Sequence, residues 1–221
     1  MRRFEEEFLV LNKTLLDMGG MVAQSVHRSV LAFVERKADY AHQVTRDEAF
    51  IDECDIRIDA MAASLIAREQ PVASDMRLVI AAIKISTDLE RMGDLAFSIA
   101  GRAMSLMDYP ELHPAIVLTD IAGLVESMVL RSLDAFVRRD AQLAYEVLAS
   151  DNGVDAMRAA IQRQVVDLMR RDPGTIERAL AHLISARSLE RIGDHARNIA
   201  EGVIYLVEGV DVRHRSAAVT Q

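Results

Sequence analysis

The chain has 221 residues, 51% of them apolar, enough to bury a sizeable core. Its 34 acidic and 26 basic residues leave a formal charge of −8, which argues against a nucleic-acid partner, whose phosphates must be neutralised by Lys and Arg. A single cysteine, Cys54, excludes an internal disulfide and a thiolate zinc site, and it falls among the apolar positions of a helix as a buried thiol would.

Four prolines and ten glycines interrupt a composition rich in Ala, Leu, Met, Arg and Glu, which suits helices and lacks the alternation of strands. The expected architecture is all-α: two tandem, pseudo-symmetric three-helix bundles, six helices in total. The longest stretch free of Asp, Glu, Lys and Arg, Met18 to His27, is ten residues long, against about 20 for a membrane-spanning helix. The N-terminus, Met1-Arg2-Arg3-Phe4 followed by three glutamates, lacks the apolar region and cleavage site of a signal peptide. A cytoplasmic protein is therefore expected.

The first helix is predicted from about Arg3 to Arg36 and the second from about Ala38 to Glu69, before a break at Pro71 and Ser74-Asp75. The third runs from there to about Met107. Asp108-Tyr109-Pro110-Glu111-Leu112-His113-Pro114 is rich in helix breakers and marks the boundary between a first bundle, residues 1–109, and a second, residues 115–209. Helices four to six repeat the scheme, with breaks near Asp140 and at Asp172-Pro173-Gly174. Residues 210–221 read as a flexible tail.

The halves resemble each other. Gly20-Met21-Val22 through Phe33-Val34-Glu35-Arg36 aligns with Gly123-Leu124-Val125 through Phe136-Val137-Arg138-Arg139 at an offset of 103, and Leu89-Glu90-Arg91-Met92-Gly93-Asp94 with Leu189-Glu190-Arg191-Ile192-Gly193-Asp194 at an offset of 100. The difference is absorbed at the turn between the second and third helix of each half.

Helix three carries an apolar seam at Leu78, Ala82, Ile85, Leu89, Met92, Ala96, Ile99, Ala103 and Leu106, so Glu90 and Asp94 point outward. Helix two has its own seam at Val44, Ile51, Ile58 and Leu65, which places Glu48 and Asp52 on a flank. In an antiparallel hairpin Glu48 reaches the level of Asp94 and Asp52 that of Glu90, because each pair is equidistant from Pro71. Asp151 with Asp194, and Asp155 with Glu190, are placed alike about the second turn. One acid pair at i,i+4 is common on a solvated face. Recurrence in both repeats, at matched levels, points to two cation sites suited to hard, oxygen-liganded metals: iron, manganese or magnesium, with zinc possible.

Glu201 extends the second cluster, whereas its counterpart is Gly101, so the two sites are not expected to be equal. Gly93 and Gly193 allow either close helix approach or room for a metal. Arg91 and Arg191 read as surface ion-pair partners, and His195 points away from Asp194. Asn152-Gly153 favours a turn, so the start of helix five is expected to be distorted.

The twice-occurring Leu-Glu-Arg-Met-Gly-Asp and Leu-Glu-Arg-Ile-Gly-Asp-His motifs, within duplicated three-helix units, resemble the PhoU family over about residues 5 to 209. The resemblance implies multinuclear iron or zinc clusters, at Glu48, Asp52, Glu90 and Asp94 and at Asp151, Asp155, Glu190 and Asp194. It further implies a homodimeric negative regulator, not an enzyme, acting with a phosphate ABC transporter's ATPase subunit and a sensor histidine kinase to keep the phosphate regulon silent. Leu95 and Ser98 depart from the His195 and Asn198 of the second repeat. Two other classes remain: a metal-free helical adaptor, and a carboxylate di-iron enzyme. The enzyme lacks support, because no Glu lies three residues before any histidine, and neither a phosphate loop nor His-Glu-x-x-His occurs.

Overall fold

In a computed structural model that describes residues 3–212, the chain folds into six long helices joined by short connections. These are α1 (Arg3–Glu35), α2 (Ala38–Glu69), α3 (Ala73–Ser105), α4 (Thr119–Arg138), α5 (Ala141–Arg171) and α6 (Ile176–Glu208), with a 3-10 turn at Pro173–Thr175. No strand occurs among the described residues, and no helix there is long and apolar enough to cross a membrane. The predicted tail beyond residue 212, like the first two residues, lies outside the described residues.

Helix boundaries follow local chemistry. α1 and α4 end on Arg36 and Arg139, both in the left-handed conformation at φ 52° and 55° and 103 positions apart, so the duplication extends to the caps. Asp140 caps α5 by accepting from the Leu143 N–H at 3.0 Å. Asp172 turns the chain into Pro173-Gly174 by accepting from the Gly174 N–H at 2.9 Å. Contrary to expectation, Asn152-Gly153 leaves α5 undistorted. A Cβ on Gly153 would stand 3.0 Å from the Leu124 side chain of α4, so this glycine serves helix packing rather than a turn.

The predicted seams of α2 and α3 are buried throughout, and the matching face of α6 buries Leu189, Ile192, Ala196, Ile199 and Val203, with Leu206 only partly buried. Within each half the three helices pack on one another. α3 also packs on α6, and α1 on α4, so one continuous apolar core runs through both bundles. The connection at residues 106–118 is tied down rather than loose. Arg36 donates to the Leu106 and Met107 carbonyls at 2.8 Å each, Arg178 donates to the Pro110 carbonyl at 2.8 Å, and Leu112 and Leu118 are buried. The α2–α3 and α5–α6 hairpins that carry the acids are thus held rigidly, and their solvent-facing flanks are left open.

Candidate metal centre

In the first half the predicted acids come to the same level of α2 and α3. Glu48 and Glu90 are partly buried, while Asp52 and Asp94 are exposed. Burial raises the Glu48 pKa above its ordinary value, and the charges of Asp52 and Asp94 raise it further. Glu90 is raised for the same reason, burial first, then Asp94, Asp55 and Asp52, against a lowering contribution from Arg91. Carboxylates that perturb one another across the hairpin share one patch.

Asp55 is a fifth member that the sequence reading missed. It lies one helical turn from Asp52 and accepts a 2.6 Å hydrogen bond from the buried Ser86 hydroxyl. Extending the acid pattern by three residues along α2 would have found it. Gly93, beside the cluster, settles the choice left open for it: an added Cβ would lie 3.1 Å from the Ile51 side chain, so the position serves close α2–α3 packing.

The second half brings its acids together with arginines among them. Burial raises Asp194, Asp151 and Asp155 raise it further, and Arg197 opposes them. Arg197 donates from Nη1 to Asp151 Oδ2 at 2.9 Å, and lies 3.7 Å from Asp194 Oδ1 and 3.6 Å from Glu201 Oε1. Arg158 donates from Nε to Glu190 Oε1 at 3.1 Å. Glu201 therefore joins the cluster through an arginine. The positions equivalent to Arg158 and Arg197 in the first half are Asp55 and Phe97.

His195 is held elsewhere: its Nδ1 stands 2.8 Å from Asp88 Oδ1 of α3, a polar link between the bundles. Arg91 pairs with Glu90 at 3.4 Å and with Asp94 at 3.7 Å, its side chain 60% exposed. Cys54 is buried, and burial raises its thiol pKa.

Among the described residues, no three His, Cys, Asp or Glu side chains stand close enough to enclose an ion. Electrostatic coupling reaches further than coordination at about 2.0–2.6 Å, so the acids influence one another without enclosing an ion. The first cluster fits a hard cation by its donor set: five carboxylates on two rigid, adjacent helices, with one solvent-facing arginine beside them. The second does not fit equally, since arginine nitrogens already engage Asp151, Asp194, Glu201 and Glu190.

The PhoU domain family matches residues 15–103 and 118–203, once in each bundle. The chain belongs to the PhoU family. A phosphate-specific transport system accessory protein PhoU homolog from Pseudomonas putida is 42% identical over 214 residues, 96% of this chain and 84% of that protein. The Escherichia coli K12 accessory protein PhoU is 34% identical over 212 residues, covering 96% and 88% of the two chains. Among solved structures, PhoU from Pseudomonas aeruginosa superposes with a TM-score of 0.89 at 41% identity, covering 94% of this chain and all of that one. The phosphate transport system regulatory protein PhoU from Streptococcus pneumoniae gives 0.86 at 27% identity, with 95% and 99% covered.

Proposed function

We propose that this chain is a cytoplasmic accessory protein of a phosphate transport system, restraining phosphate uptake and the phosphate regulon when phosphate is plentiful. The observation that carries this reading is the PhoU domain matched in both halves, with relatives, matched over 84% and 88% of their length, named as accessory proteins of phosphate-specific transport. The same names support a regulator rather than an enzyme. On this reading the partners are the ATPase subunit of a phosphate ABC transporter and a sensor histidine kinase, and the working form is a homodimer.

The carboxylate flank of the first hairpin would hold a multinuclear iron or zinc cluster, or manganese or magnesium in its place, through Glu48, Asp52, Glu90 and Asp94, with Asp55 adjoining. Such a cluster supplies fixed positive charge on an otherwise acidic face. The protein's part is to hold the carboxylates at one level and to bury two glutamates far enough that neutralisation is favourable.

Two experiments test the reading. Deleting the gene should derepress phosphate-starvation genes in phosphate-replete medium, and an unchanged expression profile would refute the regulatory role. Protein purified without chelator should contain iron or zinc that is lost on Glu48→Gln plus Glu90→Gln with helicity intact. Metal content unchanged by that pair would refute the cluster.

A further inference from the structure

We propose that the two halves are not equivalent metal sites: Arg158 and Arg197 close the second carboxylate cluster from within, standing where a cation would stand, so that metal loads on the first half alone. The proposal deepens the metal reading above and rests on it for the first half.

The repeats make the comparison position by position. The four acids common to both halves are Glu48, Asp52, Glu90 and Asp94 in one, and Asp151, Asp155, Glu190 and Asp194 in the other. Around them, the first half places Asp55 and Phe97 where the second places Arg158 and Arg197. One exchange reverses a charge, and the other replaces an exposed apolar ring by a guanidinium.

The Arg197 side chain is less exposed than that of Arg91, 39% against 60%. It stands between acids of two helices, bonded through Nη1 to Asp151 of α5 and 3.7 Å from Asp194 of α6, while its buried Nε makes no hydrogen bond and faces Glu201 Oε1 at 3.6 Å. Burying an arginine nitrogen without a hydrogen bond is unfavourable unless surrounding negative charge holds it there. The Asp151 bond and the neighbouring carboxylates accordingly raise the arginine pKa. Arg158 is anchored in turn by Gln162, whose Oε1 accepts from its Nη1 at 2.7 Å while Nε holds Glu190. A divalent ion entering this cluster would meet two positive charges and compete for oxygens already engaged. In the first half it would meet one arginine arm, 60% exposed, at 3.4 Å and 3.7 Å.

The test uses the full chain stripped with chelator and titrated with manganese(II) alone, bound metal being counted by calorimetry and elemental analysis. Glu48→Gln plus Glu90→Gln should abolish binding, and Asp151→Asn plus Glu190→Gln should leave it unchanged. Arg158→Asp plus Arg197→Phe, which installs the first half's residues in the second, should add a second set of ions. Loss of metal on changing the second cluster would overturn the proposal, as would failure of the arginine exchange to add any.

A metal-free measurement keeps the two readings apart. In chelator, Arg197→Phe should lower the urea midpoint, with manganese restoring it, because the acids have lost their internal cation. An unchanged midpoint in chelator would overturn the arginine closure even if the first half binds metal. A wild-type chain that binds no manganese, iron or zinc would refute the metal reading, and the chelator comparison would still decide the arginines.

Discussion

Glu48 and Glu90 sit partly buried on facing helices, and burial together with nearby carboxylates holds both above the ordinary value of 4.5. The folded state therefore binds more protons than the unfolded state between that value and the raised one. Their ionisation opposes folding at neutral pH, and that cost is relieved as pH falls through the raised pKa values toward 4.5. Asp194 acts in the same direction above 3.8. In metal-free protein, Glu48→Gln plus Glu90→Gln should raise stability at pH 7 and flatten its rise on mild acidification. Urea unfolding between neutral and mildly acidic pH checks this, and a variant no more stable than wild type at neutral pH would show that the cluster is not strained. The four first-half acids were legible from sequence because α-helical spacing fixes which side chains share a face. Asp55 continues the acid pattern of α2 by one turn, but only the packing of α2 on α3 shows that its charge acts on Glu90.

At the scale of elements, each hairpin is held by tight seams on one flank and left open on the other. Gly93 lies where α3 meets α2, and an added Cβ would press on Ile51, itself buried, at 3.1 Å and 3.2 Å. Gly20, in the interior of α1, has nothing within 4 Å of where a Cβ would stand. Gly20→Ala should therefore stabilise by about 0.5–1 kcal/mol through helix propensity. Gly93→Leu should destabilise by about 1–3 kcal/mol through overpacking. Chemical denaturation of the two variants checks the contrast, which disappears if helix propensity alone governs both sites, since both changes would then stabilise. Composition could not separate these glycines, nor foresee that α5 runs straight through Asn152-Gly153. Turn propensity describes an isolated segment, whereas the facing surface of α4 rewards the missing Cβ.

At the scale of the molecule, the two bundles share a core and are bolted across it. α1 crosses α4 so closely that an added Cβ on Gly19 would overlap the Leu133 side chain. His195 meets Asp88 across the α3–α6 contact. The halves should accordingly unfold as one unit. Leu133→Ala, at a position 1% exposed, should cost about 2–5 kcal/mol. It should also lower hydrogen-exchange protection in α2 as much as in α5. Loss confined to the second half would mean that the bundles unfold separately.

The chain's own order of residues settled the six helices, the duplication and the faces on which the acids emerge, because helical periodicity is a local property and both repeats report it independently. Which charges answer which was decided only in three dimensions. Arg197 reaches Asp151 across 46 positions, and Arg158 reaches Glu190 across 32. Such encounters depend on how helices pack, which no local pattern encodes, so two carboxylate clusters that read alike along the chain become an open acidic patch in one half and an arginine-filled one in the other.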